Sequence, residues 1–287
     1  MNISLGPLLY CWPKAQVQAF YRDVADSTIP QVYLGEAVCS RRRQMKFADF
    51  LALAHELKAA GKQVVLSTLA LIEAQSELKE LKKQLDNGDF LIEANDMAAV
   101  GMAREQGLPF VCGASINNYN RASLDKLHQW GMQRFVMPIE LSKTWLQKVI
   151  SPAPNFEIEV LGHGYLPLAH SARCFTARHK GLAKDDCQTV CLEYPKGLLV
   201  QTQEQQPLLR LNGIQTQSAA HCDLRREIPE MKRLGVDWFR VSPDSHDSIA
   251  LAESLQLDEG NEVDAEIGKE ACNGYWHDAP GMLYQRL

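Results

Sequence analysis

The chain of 287 residues predicts an α/β fold, a closed (β/α)8 TIM-type barrel with a small antiparallel β insertion between strands seven and eight. Three observations lead there. Eight short runs rich in branched apolar residues recur along the sequence. Helical patterns lie between most of them, and strands joined by helical crossovers are parallel; eight such units in about 250 residues are the size of a closed barrel. No G-x-G-x-x-G or G-x-x-x-x-G-K-[ST] loop follows an early strand, which removes the commonest reason to prefer an open doubly wound sheet.

Taken in order, ISLGPLLY (3–10) and QVYLG (31–35) are the first two strands. A helix follows in KFADFLALAHELKAAGK, where Phe47, Phe50, Leu51, Ala54 and Leu57 recur at helical spacing and Gly61 supplies a stop. QVVLST (63–68) is the third strand; SELKELKKQLDNG then carries Leu78, Leu81 and Leu85 on one helical face and ends at Asn87-Gly88. After FLIEA (90–94), Asn95 or Asp96 caps MAAVGMAREQG. FVCGAS (110–115) is followed by a helix starting at Ser123 or a neighbour and running through Trp130. RFVMP (134–138) precedes KTWLQKVI, capped by Ser142, and EIEVLG (157–162) is strand seven.

Two stretches then break the alternation. The segment 171–191, SARCFTARHKGLAKDDCQTVC, is polar and basic without apolar periodicity. Residues 196–217 alternate apolar and polar side chains around Asn212-Gly213, a strong hairpin signal, and read as the antiparallel insertion. EIPEMKRLG and SIALAESLQL flank the eighth strand, WFRVS (238–242). No linker, repeat or low-complexity tract divides residues 1–287, so one domain with an insertion suffices.

Hydrophobic residues make up 46% and charged ones 23%, an ordinary globular balance, and the net charge of −5 argues against a bulk nucleic-acid binder. MNISLGPLLYCWPK has no basic region and no small-residue cleavage site, so it is a poor signal peptide. No run approaches eighteen apolar residues. A cytoplasmic protein is therefore expected, and in that reducing compartment the eight cysteines are not a disulfide framework.

Cys174, Cys187 and Cys191 need a chemical explanation. Residues four apart share a helical face, which suits Cys187 and Cys191, while Cys174 must fold back across the loop. Thiolates suit iron–sulfur groups or zinc. Structural zinc usually takes paired C-x-x-C knuckles, which are absent, so the spacing leans toward iron–sulfur. A loop after strand seven lies at the C-terminal mouth of a barrel, where Cys39, directly after strand two, also arrives. Cys11 is a rival, and His163, His170 or His179 could substitute; Cys112 reads as core, and Cys222 and Cys272 have no close company in sequence. The neighbourhood of Cys39 favours it. Arg41, Arg42 and Arg43 follow it, Arg173, Arg178, His179 and Lys180 surround Cys174, and such cations favour thiolates and offset the charge of a thiolate-bound cluster. The arginine triplet equally suits a solvated helix entry, a carboxylated substrate or an acidic partner. His163, Glu36, Asp244 and His246 have the address of acid–base groups, but each also fits an ordinary cap or loop hydrogen-bonder, and no catalytic residue is assigned.

The stretches VYLGEAVCSRRRQMKF, GYLPLAHSARCFTARHKGLAKDDCQTVCLEYPKGL and NGYWHDAPGM resemble the UbiV-type branch of the collagenase-like peptidase family, and the likeness runs across essentially the whole chain. That resemblance implies a barrel and a [4Fe-4S] cluster bound by Cys39, Cys174, Cys187 and Cys191. The broader family carries an early cysteine shortly before the one matching Cys174; Leu166-Pro167 stands there instead, and the UbiV-type pattern supplies the ligand from Cys39. The resemblance further implies a heterodimer with a UbiU-type paralogue and a UbiT-type lipid-binding accessory protein, acting in oxygen-independent (anaerobic) hydroxylation of the ring precursor in ubiquinone biosynthesis. Two alternatives stand beside it, a non-catalytic iron–sulfur scaffold subunit and a zinc-stapled barrel hydrolase or peptidase. Neither H-E-x-x-H nor G-x-S-x-G occurs to support proteolysis.

Overall fold

The computed structural model describes residues 1–257, 268 and 270–286. Each barrel strand is a short run with little exposed surface. β1 (Asn2–Leu5), β2 (Gln31–Leu34), β3 (Gln63–Ser67), β4 (Leu91–Ala94), β5 (Phe110–Cys112), β6 (Met132–Val136) and β7 (Glu157–His170) pair in sequence order. The insertion supplies β8 (Leu198–Gln201), β9 (Pro207–Asn212) and β10 (Gln215–Asp223). β11 (Trp238–Val241) then pairs in parallel with both β7 and β1, matching Trp238 to Glu159 on one side and to Asn2 on the other. Eight parallel strands thus close into a barrel. A short β12 (Ala271–Cys272) adds to β10.

Helices α1 (Lys14–Asp26), α2 (Phe47–Ala59), α3 (Gln75–Leu85), α4 (Met97–Glu105), α5 (Arg121–Gln129), α6 (Lys143–Val149), α7 (Phe175–His179), α8 (Ile228–Leu234) and α9 (Asp247–Leu257) connect them. Helix α1 adds to those expected from the sequence, and Val17, Phe20, Tyr21 and Val24 bury one face of it at helical spacing. Asp96 caps α4 by accepting from Ala98 N (2.7 Å), and Ser142 caps α6 by accepting from Trp145 N (3.2 Å). For α5 the cap is Asn120, whose Oδ1 accepts from Ser123 N. No helix among the described residues is long and apolar enough to cross a membrane.

Strand seven is longer than its apolar run. EIEVLG forms the barrel part, and the chain continues to His170 because β10 returns antiparallel along it. Gly164 (φ +134°) marks the change of role, since a Cβ there would stand 2.7 Å from the Ser242 Cβ. The hairpin between β9 and β10 turns one residue later than expected. Asn212 is still paired, with Gln215, so Gly213 (φ +67°) and Ile214 are the central residues.

Barrel interiors are ordinarily filled with branched apolar layers, yet this one holds a charged network. Glu159 is fully buried; its Oε1 accepts from Ser4 Oγ (2.5 Å) and Arg240 Nε (2.8 Å), and its Oε2 from Tyr33 OH (2.5 Å) and Arg134 Nη1 (3.2 Å). Arg240 Nη1 reaches Glu93 at 2.7 Å, and its guanidinium lies over the Tyr33 ring. Burial pushes the Glu159 carboxyl up, but Arg240 and Arg134 outweigh it and hold the group down at about 2.

Candidate functional site

The loop after β2 is shaped by Gly35. Its φ is +143°, and a Cβ would come within 2.3 Å of the Ser67 carbonyl oxygen, so only glycine fits. Glu36 then folds back under its own loop, where Oε1 accepts from Val38 N (2.9 Å) and Cys39 N (3.0 Å). Buried Arg42 ties three segments together. Nη1 donates to Leu9 O (2.6 Å), Nη2 donates to Asn212 Oδ1 (2.6 Å), and Glu36 Oε1 lies 3.7 Å away. One guanidinium thus fixes the loops after β1 and β2 against the hairpin.

The cysteine segment docks on that same hairpin. Cys174 caps α7, its Sγ accepting from Ala177 N at 3.4 Å. Thr176 Oγ1 accepts from Gly213 N (3.0 Å) and donates to Leu211 O. A 3-10 turn over Lys184–Asp186 leads to Cys187, and a second one, Val190–Glu193, carries Cys191. Gln188 and Thr189 lie between them with φ of 50° and 54°. The single helical turn expected for Cys187 and Cys191 is therefore not formed; two left-handed residues replace it.

Nonetheless Cys39, Cys174, Cys187 and Cys191 line one pocket, together with Arg42, Thr176 and Gly213. Cys11 stands outside it but lines the neighbouring cavity with Glu36 and Arg42. Burial pushes the Cys39 thiol up to about 11 and raises Cys174 as well. Cys191 is drawn down to about 6, first by the hydrogen bond from Cys11 and, against burial, by Arg42. Cys11 is raised by the same bond. Among the described residues, no three His, Cys, Asp or Glu are gathered as a group that could hold a metal ion. A single zinc would draw its sulfurs to about 2.3 Å from one point. The four cysteines are soft donors that share a pocket lining, the ligand type that both zinc and iron–sulfur groups take. Arg42 Nε, buried and without a hydrogen-bond partner among the described residues, adds an unspent donor beside them.

None of His163, His170 and His179 lines the cysteine pocket. His170 Nε2 lies 3.1 Å from Gln215 Nε2, and His179 packs edge-on to Tyr194. His163 belongs to a second cluster at the mouth. Its ring lies 4.3 Å from that of His221, whose Nε2 is 3.9 Å from Asp244 Oδ2, and Lys196 Nζ is 3.5 Å from the same oxygen. Tyr165 meets His221 edge-on, and Arg210 lies over the Tyr165 ring. Burial and the neighbouring His221 hold His163 down at about 3, so its imidazole is neutral at pH 7. Glu36 serves the Cys39 turn instead, and His246 stacks on Trp12 and pairs with Asp23.

A string of side chains runs inward from Arg42. Arg42 Nη2 donates to Asn212 Oδ1 (2.6 Å), Asn212 Nδ2 to Gln215 Oε1 (3.2 Å), Gln217 Nε2 to the same Gln215 oxygen (2.9 Å), and Tyr10 OH to Gln217 Oε1 (3.2 Å). Gln215 and Gln217 share a buried face of β10 at period two, yet the sequence alone assigned no role to them, Tyr10 or His221. It also left Cys222 and Cys272 without company, whereas the structure pairs them in register on β10 and β12, both buried.

Comparison with known proteins adds the following. The model of Peptidase family U32 matches residues 13–257. A curated relative, tRNA hydroxylation protein P of Escherichia coli (strain K12), is 27% identical over 99 residues, 34% of this chain and 22% of that protein, so the match spans about a fifth of the relative's length. Among solved structures, a U32 peptidase is 10% identical with a TM-score of 0.48, covering 85% of this chain and 93% of its own. N-acetylneuraminate lyase from Fusobacterium nucleatum is also 10% identical, with a TM-score of 0.44 and coverage of 90% and 78%.

Proposed function

The chain belongs to peptidase family U32, and from that premise we propose that it is an iron–sulfur protein of oxygen-independent hydroxylation, not a peptidase. In this reading Cys39, Cys174, Cys187 and Cys191 hold a [4Fe-4S] cluster. The protein acts with a UbiU-type paralogue, served by a UbiT-type accessory protein, on the ring precursor in ubiquinone biosynthesis. The observation that carries it is that Cys39, from the loop after β2, lines the same pocket as the three cysteines after β7. The partial match to a protein named for tRNA hydroxylation supports hydroxylation as the chemistry. A net charge of −5 weighs against RNA as the substrate, because phosphate contacts need a basic face.

Bound in that pocket, such a cluster supplies one-electron transfer. The chain's own residues do the rest. Arg42 offsets thiolate charge from within the protein, and Glu36 holds the Cys39 turn through its backbone N–H groups. At the mouth, burial and His221 keep His163 neutral at pH 7 and make it a weak base, while Asp244 Oδ2 lies 3.9 Å from His221 Nε2.

An anaerobic assay with the paralogue and the ring precursor tests this. Wild-type protein should support ring hydroxylation, and Cys39→Ala or Cys174→Ala should abolish it. Full activity from the quadruple cysteine variant sinks the proposal; turnover without the paralogue removes the partner from it.

A further inference from the structure

Cys222 and Cys272 have no part in the pocket of Cys39, Cys174, Cys187 and Cys191. They meet elsewhere, as register partners on the parallel strands β10 and β12. Neighbouring strands lie about 4.8 Å apart, inside the Cα separation of roughly 4.4–6.8 Å that a disulfide spans. Both cysteines are buried and both line a single small cavity. Its other walls are largely apolar, with Leu161, Leu166 and Trp276 among them, and its volume is about 20 Å³. That is too little for an organic ligand but enough for a water-sized molecule, the size class of hydrogen peroxide.

The pair also joins two parts of the chain. β10 belongs to the insertion and carries His221, the neighbour of His163 at the mouth, directly before Cys222. β12 is two residues long. Beyond it Asn273 Nδ2 donates to Glu227 Oε1 (3.0 Å), and His277 Nε2 lies 2.9 Å from the same oxygen. We propose that Cys222 and Cys272 form a thiol–disulfide switch that peroxide closes, stapling the C-terminal segment to the insertion strand. The step balances. A thiolate attacks one peroxide oxygen, the O–O bond breaks to give a sulfenic acid, and hydroxide leaves with the thiol's proton as water. The second sulfur, losing its own proton, displaces the sulfenic oxygen as another water. Burial pushes the Cys272 thiol up to about 12 and raises Cys222, so oxidation is slow while β12 stays paired and proceeds as that short strand lifts. In a reducing compartment such a bond is transient and redox-sensing, not a framework. The switch goes beyond the hydroxylation reading and does not depend on iron.

The test treats the full chain, purified anaerobically, with hydrogen peroxide, then blocks free thiols with iodoacetamide in denaturant and digests the protein for mass spectrometry. A pair of peptides joined through Cys222 and Cys272 should appear, and dithiothreitol should separate it. The melting temperature should rise by about 5 °C or more, because the bond closes a loop of roughly 50 residues. Cys272→Ala treated identically should show no rise, and damage at the cysteine pocket cancels in that comparison. Cys222→Ala serves as the same control where Cys272→Ala disturbs folding, as judged by circular dichroism. Recovery of both cysteines fully alkylated after peroxide overturns the switch. A joined pair with no rise in melting temperature over the variants overturns the staple.

Discussion

Glu159 is a fully buried carboxylate with two arginines, a tyrosine and a serine around it. Glu159→Gln should cost about 3–5 kcal/mol in urea unfolding, because Arg240 and Arg134 would be left buried and undercompensated. The pH dependence follows from the same shift. A carboxyl held at about 2 in the fold, against an ordinary 4.5, contributes stability that is complete above 4.5 and lost as pH falls toward 2. His163 acts in a higher window. Its folded value of about 3 lies below the ordinary 6.5, so the unfolded chain protonates first, and stability falls as pH drops from 6.5 toward 3. His163→Gln should reduce the slope of the urea midpoint against pH between 6.5 and 4.5, with a residual slope from His221 and His170, which are lowered as well. The barrel charges were visible in LIEA, QRFV and WFRV as single charges in apolar runs, and in EIEV as the second of two glutamates. One sequence cannot tell which of them meet across a barrel, because the pairing is set by register.

The loop after β2 is held by the Gly35 turn, the Glu36 carboxylate and the Arg42 guanidinium. Gly35→Ala should destabilise the protein by more than about 2 kcal/mol, since it combines a disfavoured φ with a clash against the Ser67 carbonyl; thermal unfolding of that variant checks it. Asn212→Ala should cost about 1–3 kcal/mol by leaving Arg42 Nη2 short of a buried acceptor. Barrel strands and most helices were legible because apolar periodicity is local. The extension of β7 was not, since it exists only where β10 returns to pair with it, many residues later. The turn between Cys187 and Cys191 was misread for a related reason. Four-residue spacing allows a helical face, but Gln188 and Thr189 adopt left-handed conformations as the loop wraps back to the hairpin.

At the scale of the whole molecule, closing the barrel brings the loops after β1, β2 and β7 to one mouth, and Arg42 bolts them to the insertion. That is why four cysteines scattered in sequence line one pocket; position in the fold left Cys39 and Cys11 as rivals, and the arginines after Cys39 and the family resemblance favoured Cys39. Arg42→Lys keeps the charge but loses the forked contact to Leu9 and Asn212, and if the proposed cluster is held here, affinity for iron in a chelator competition should fall by about 10–100-fold, the usual effect of removing a group that orients ligands. The central claim is tested most directly by iron and acid-labile sulfide in anaerobically purified wild-type protein and in Cys39→Ala. The account predicts about four of each per wild-type chain, and their loss from a Cys39→Ala protein that remains folded. Undiminished iron and sulfide in Cys39→Ala, or one zinc and no sulfide in the wild type, would contradict it.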